Sequence, residues 1–439
     1  MKQEGTLSVK DVVAIVVGIV IGAGIFRTPS LVAANAGGPG LLILLWILGG
    51  LVSLNGSLCY AELATTFPHP GGDYHYITRA FGTDVAFLFA WARMTVIQTG
   101  SIAMLGFIFG DYFAGLLPVT GSASPFFAAG AVVCLTAINL IGLRQGKMTQ
   151  TLLTLAKVLG LLAVILPGLM YAQPVRPAPV EPSSGNLLGL AMIFVLLTYG
   201  GWNEAAYVSA DLKHVRRGMV PALLWSLAII TAVYVFANLA FLRVLGLSGM
   251  STSEHVAADL VQRLFGQNAA RLLSLLICVS ALGSINGSIV TGARTNLALG
   301  MDRRMFRILA RWHESTATAP NALLVQCGLS LLLILFGAAT RQGFVAMVEY
   351  TAPVFWGFFF LGALSLIVLR FKEPGVERPF PVPLYPFTPI LFCATCLYML
   401  RASIAYTGKG AVVGLIVLFC GLLLVIFDKI KPSRSKRYA

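Results

Sequence analysis

The sequence predicts an all-α polytopic membrane protein of twelve transmembrane helices, and three observations carry that prediction. Of 439 residues, 57% are hydrophobic and 11% charged, with a mean hydropathy of +0.84, which is more apolar surface than a water-soluble fold of this length can bury. The apolar residues run ~20 at a stretch, enough to span a bilayer core, instead of alternating as in a β-barrel. Basic residues collect at one set of loops, as the positive-inside rule requires.

The apolar runs lie near 12–36, 39–66, 84–116, 124–142, 148–171, 187–211, 219–242, 265–300, 321–340, 343–370, 384–406 and 410–428. With the N-terminus inside, 21 basic residues fall on the cytoplasmic side and seven on the other, so both termini are expected in the cytoplasm. This bias accounts for the formal charge of +14 without nucleic acid as a partner. The polar start MKQEGTLSVK has no small-residue cleavage site after it, so no signal peptide is expected. It forms a short cytoplasmic N-terminus, residues 1–11. At the other end, 429–439 make a basic cytoplasmic tail. All seven cysteines sit in apolar runs, so disulfides are not expected. CATC at 393–396 is a pair of small core residues in a span.

The first run is interrupted. Val12 to Phe26 is too short to cross a ~30 Å core at 1.5 Å per residue, whereas continuing to Ala36 brings Arg27 and Pro29 inside. A discontinuous helix reconciles these facts. One half ends near Ile21, the chain opens through Gly22-Ala23-Gly24, and a second half starts near Thr28 with Pro29 in its first turn, where proline is tolerated. Open backbone within a bilayer is allowed only in protein or beside a wet cavity, and freed amides at a helix start attract a carboxylate. Close packing of small residues is the competing reading of the same glycines. The sixth run breaks similarly at Gly200-Gly201, with Trp202, Asn203 and Glu204 following. Paired breaks in the first and sixth spans imply two inverted five-helix repeats, 12–171 and 187–370, with helices 11 and 12 (384–428) appended.

GAGIF at 22–26, FPHPGGDYHYITRAFG at 67–82, YGGWNEAAYVSADLK at 199–213 and GSINGSIVTGAR at 283–294 resemble the amino acid–polyamine–organocation superfamily. Within it, the chain is most similar to the L-type amino-acid transporters and their bacterial relatives, from about Val12 to Arg370. The resemblance implies that amides of Ala23, Gly24 and Ile25 hold a substrate carboxylate, and that carbonyls of Val20, Leu197 and Gly200 hold its ammonium group. It also implies a pocket lined by Gly22, Tyr199, Gly201, Trp202, Asn203 and Trp356. Many relatives have a serine at Ala23 and an aromatic gate at Leu197, so one hydroxyl contact and the aromatic gate are lacking here.

Lys157 lies ~10 residues from either end of its span, where a charge is costly and marks function. Sodium-coupled members of this architecture hold a cation at that place, and the resemblance puts Lys157 there, reaching toward Ser280 or Ser284. Because burial lowers a lysine's pKa, it can also release a proton. Glu204 either favours a cationic substrate or makes a polar contact within the bundle. Arg27 caps an outer vestibule, and Arg93 pairs with a carboxylate such as Asp111 or Glu62. His69, Asp73 and His75 lack a third strong ligand, so no metal is expected. The basic amphipathic DRRMFRILARWH, 302–313, suits the cytoplasmic leaflet.

Together these readings predict a sodium-independent secondary transporter of L-amino acids in the plasma membrane (a bacterial inner membrane), working by alternating access. A polyamine or cationic amino-acid transporter and an amino-acid sensor on the same fold are the alternatives. An enzyme is not expected: five scattered histidines form no metalloprotease motif, and no cofactor is implied. The loop LPVTGSASP has no cysteine for a disulfide-linked ancillary glycoprotein.

Overall fold

A computed structural model describes the chain except residues 1–6, 70, 119–122, 143–145, 171–187, 208, 210–211, 315, 317, 341–342, 407–408 and 431–439. At 146–157, 406, 409 and 427–430 it describes the backbone alone. The described residues form sixteen α-helices: α1 Val9–Val20, α2 Thr28–Ala36, α3 Pro39–Thr66, α4 Gly72–Phe81, α5 Thr83–Ala92, α6 Gln98–Ala114, α7 Ser124–Ile141, α8 Gly146–Met170, α9 Leu188–Tyr199, α10 Val215–Thr252, α11 Val256–Phe265, α12 Gln267–Asp302, α13 Pro320–Ala339, α14 Gly343–Lys372, α15 Phe387–Tyr406 and α16 Lys409–Ile430. Among the described residues only two isolated bridges interrupt this all-helical pattern.

Local chemistry sets the helix starts. Ser8 and Asp11 form a capping box at α1: the Asp11 amide donates to Ser8 Oγ, and the Ser8 amide to Asp11 Oδ2 at 2.8 Å. Prolines begin α3 and α13, where no intrahelical amide is needed. Among the described residues, eight helical stretches are long and apolar enough to cross a membrane, α5 and α6 counting as one. The expected spans beyond these are the two interrupted ones, together with α8 and α16. The described parts of α8 and α16, Val158–Met170 and Gly410–Ile426, are apolar but shorter.

Burial separates the inside of the bundle from its rim. In the most apolar stretch of α5–α6, 72% of residues are buried, against 28% in α7, so α5–α6 is interior and α7 peripheral. The pieces of the first run pack inward, α1 on α10 and α2 on α9. α12 lies against both α6 and α8, and α14 against α6. Two short helices, α4 and α11, fall between apolar runs; hydropathy overlooks them because only one face of each is buried. α10 outlasts its predicted span and turns at Gly246, whose φ of 71° is in the left-handed region. Between α5 and α6 the chain makes a π turn, Arg93–Ile97.

Candidate functional site

Both interruptions exist where the glycines predicted them. α1 ends at Val20, Ile21 leaves the helical region, Gly22 is extended (φ −107°, ψ −168°), and Ala23–Phe26 form one 3₁₀ turn before α2. The first amides of such a turn lack a partner within it, which leaves Ala23 and Gly24 foremost. The Gly24 carbonyl is used, accepting from the Arg27 amide and from Thr28 Oγ1, each at 2.9 Å. In the second break α9 stops at Tyr199, the Gly200 amide donates to the Leu197 carbonyl at 3.0 Å, and a 3₁₀ turn, Trp202–Ala206, follows. Gly201 has φ 111°, and a Cβ there would lie 2.9 Å from Ile19 Cγ2. Glycine is required on both counts.

The two breaks are tied to each other. Thr28 Oγ1 and Thr198 Oγ1 meet at 2.7 Å. The buried Tyr234 hydroxyl reaches the Val20 carbonyl at 2.8 Å and the Thr198 carbonyl at 3.0 Å. The Val20 carbonyl, expected to hold a substrate ammonium, belongs to a residue that lines the cavity beside the two breaks and accepts from Tyr234 and from the Gly22 amide, each at 2.8 Å. The Leu197 carbonyl accepts one bond, from the Gly200 amide at 3.0 Å, and keeps a second lone pair.

Between the breaks and α6, α12 and α14 lies a cavity of about 1090 Å³, at the upper end of ligand pockets. Gly22, Ala23, Gly24, Leu197, Gly200, Gly201, Asn203 and Ser284 line it, so most of the predicted site residues converge. Three aromatics do not line it. The Tyr199 hydroxyl donates to the Trp46 carbonyl at 2.9 Å, Trp202 packs between Tyr60, Phe359 and Phe392, and Trp356 is buried against Phe355 and Phe359. Each fills space behind the cavity wall instead of facing it. The Ile25 side chain is wholly buried. Ser280 is buried behind the wall, its hydroxyl without a partner among the described residues. Lys157 belongs to α8, but its side chain lies outside the described residues.

One end of the cavity is closed. The Tyr112 hydroxyl donates to the Phe26 carbonyl at 2.8 Å, and Arg27 Nη1 donates to the Glu254 carbonyl. Toward the other end sits a polar cluster that the sequence did not assemble. Arg93 donates to Glu204 at 3.0 and 3.3 Å and to the Tyr207 hydroxyl at 3.0 Å, with its guanidinium over the Tyr207 ring. Asn203 Nδ2 and the Tyr207 hydroxyl each reach Asp73 Oδ2 at 3.4 Å. The expected partners of Arg93 are taken elsewhere. Glu62 holds Arg370 at 2.6 Å and Arg378 at 3.3 Å, and Asp111 accepts from Ser124 Oγ at 2.6 Å. His69 and His75 stack with centroids 4.1 Å apart, and the described residues hold no group of three metal-ligating side chains.

Arg93 and Glu204 stood out in the sequence as intramembrane charges. Asp73 drew notice only beside the histidines, and Tyr234 carried no signal, being one tyrosine in an apolar run.

Residues 7–427 match the model of the amino acid permease family. The serine/threonine exchanger SteT of Bacillus subtilis is 29% identical over 93% of both chains. The human cystine/glutamate transporter is 29% identical over 96% of this chain and 85% of its own length. The large neutral amino acids transporter small subunit 2 of Oryctolagus cuniculus is 31% identical over 93% and 78%. All three are transporters. With its apolar helices and paired backbone breaks, this chain is a multi-pass membrane protein and belongs to the amino acid permease family.

Proposed function

We propose that the chain is a secondary transporter of L-amino acids that binds its substrate's α-amino and α-carboxyl groups between the two breaks and exposes them alternately to either side of the membrane. One observation carries the reading: Ala23 and Gly24, whose amides begin the 3₁₀ turn of the first break and are not used within it, border the same cavity as Leu197 and Gly200, whose carbonyls belong to the other break. Amides at a helix start suit an anion and carbonyls at a helix end suit a cation, so together they complement a zwitterion. The residues lining the cavity come largely from α1, the α9 break and the adjoining stretch of α12. With the N-terminus in the cytoplasm, as the charge bias indicates, this conformation opens inward. Asn203 and Gly22 complete the wall, and residues 12–171 and 187–370 act as the two repeats.

Sodium independence rests on Lys157. α8 packs on α12, and the Ser280 hydroxyl, without a partner among the described residues, is the kind of acceptor that a tethering ammonium needs, with Ser284 one turn on. The cationic-substrate reading loses its main support, since Glu204 is already paired with Arg93 at 3.0 Å.

The test is counterflow in liposomes holding the purified chain alone, with radiolabelled L-serine, L-leucine, L-glutamate and L-lysine. Exchange of at least one neutral amino acid is expected without sodium. Binding without exchange would make the protein a sensor, and exchange of L-lysine alone would restore the cationic reading. Activity of the chain by itself also checks the expectation that no disulfide-linked glycoprotein is needed.

A further inference from the structure

We propose that Asp73 is a proton-carrying group of the transport cycle, so that a proton moves with the substrate; this rests on the transporter reading above. In the step, the Asp73 carboxylate takes a proton from a hydronium ion in the cavity, giving a neutral carboxyl and water, and later returns it to water on the other side.

The argument starts from charge. Two carboxylates and one guanidinium meet at this end of the cavity, and Arg93 is committed to Glu204 at 3.0 Å. An ionised Asp73 therefore leaves one buried negative charge without a counter-ion of its own, which a protein interior tolerates poorly. Asp73 is 4% exposed. Its Oδ2 has only two contacts, both long at 3.4 Å, and its Oδ1 is buried without a hydrogen-bond partner among the described residues. A carboxylate stabilised as an anion is surrounded by close donors; this one has two at 3.4 Å and the Tyr60 hydroxyl beside it, and it shares Arg93 with Glu204.

The surroundings are otherwise neutral. α3 contributes the Tyr60 hydroxyl, α4 itself Tyr76, and the second break Tyr207 beside Glu204. α14 presents Gly362 there. Its charged end is engaged elsewhere, Arg370 with Glu62 and Lys372 with the Ala80 carbonyl. On α5, Asp84 pairs with Arg303. α4 lies between the spans, and burial raises the Asp73 pKa from the ordinary carboxylate value. Water reaches the group, because Asp73 borders the cavity with Tyr60, Arg93 and Asn203. Coupling to substrate follows from position. Asn203, which contacts Asp73, lies two residues past Gly201 in the break, so movement of that break changes the groups facing the carboxyl.

The experiment uses the full chain in liposomes, with the four amino acids named above. An inward proton gradient should drive accumulation of the exchanged amino acid by about tenfold per pH unit for one proton per substrate. A pH dye in weakly buffered vesicles should show protons entering with it. Asp73→Asn should lose gradient-driven accumulation and flatten the dependence of uptake on pH. Asp73→Glu should recover part of both. Glu373→Gln, at the exposed pair with Arg79, should behave as native. Counterflow by the native protein with neither gradient response nor proton entry would overturn the proposal while leaving the transporter reading intact. Absence of counterflow for every amino acid would overturn both. Gradient-driven uptake that survives in Asp73→Asn but is lost in Lys157→Ala would move the proton to the lysine.

Discussion

The two breaks look alike in sequence, each a glycine pair within an apolar run, yet they are built differently. At the first, no glycine is in the left-handed region: Gly22 is extended, and a Cβ on Gly24 would meet only the Thr198 methyl, at 3.7 Å. At the second, Gly201 is both left-handed and closed off by Ile19. The first break is flanked by hydroxyls and carbonyls and carries no ion pair among the described residues; the second holds Glu204 against Arg93. The comparison teaches that the glycines of the first break keep space open in front of amides, while those of the second permit a turn that positions charge. A side chain should therefore act on ligand at the first break and on folding at the second.

The largest effect is expected at the second break. Glu204→Ala strands a guanidinium that is only 8% exposed. Loss of one partner of a buried pair costs about 3–5 kcal/mol, toward the lower end here because Glu204 is 27% exposed. A marked fall in the melting temperature of the detergent-solubilised protein would register this, and an unchanged one would mean that the pair is not formed in solution. Gly201→Ala comes next. An alanine in the left-handed region costs roughly 1–2 kcal/mol before its contact with Ile19 is relieved, so the same thermal measurement should show it clearly.

At the first break the readout changes from stability to affinity. Gly24→Val directs two more carbons at Thr198 and into the space in front of the amides. Losing a charge-assisted hydrogen bond there costs about 1.5–3 kcal/mol, roughly 10- to 150-fold in affinity. Equilibrium binding to purified variants checks this; equal binding by Gly24→Val and native protein would return the glycine to a packing role. Tyr234→Phe removes one hydroxyl from two carbonyls and should cost ~1 kcal/mol of stability, with tighter or weaker substrate binding reporting whether the freed Val20 carbonyl joins the site. Gly22→Ala should be the mildest, within ~0.5 kcal/mol of native, since its nearest neighbour would be Ser284 Oγ at 3.9 Å.

Much of this arrangement was legible in the chain. Glycine pairs inside the first and sixth apolar runs located both breaks, the first helped by an uninterrupted stretch too short to span a bilayer. Intramembrane charge flagged Arg93 and Glu204 but could not pair them, since they lie 111 positions apart and pairing is decided by which helices touch. Glu62 and Asp111 were reasonable partners until Arg370 and Ser124 proved nearer. The aromatics failed for another reason. α9 and α14 are apolar on nearly all sides, so periodicity has no polar face from which to tell cavity from core. Tyr199, Trp202 and Trp356 were assigned to the pocket by the family resemblance, and they pack outside the residues that line the cavity.

The π turn between α5 and α6 is a place where the chain can lose a residue. A π turn accommodates one residue more than an α turn, and each residue of an α-helix rotates the following face by about 100°. Phe89 before the turn, Arg93 and Ile97 at its two ends, and Gln98, Ser101 and Leu105 after it all border the cavity, so the extra residue is absorbed without turning one half away from the other. Deleting one residue from Met94 to Ile97 would leave a regular helix in which Arg93 and Gln98 stand four positions apart and still share a face. A one-residue gap should therefore be tolerated in that short segment better than elsewhere in α5 or α6, where it would turn the following face by about 100°.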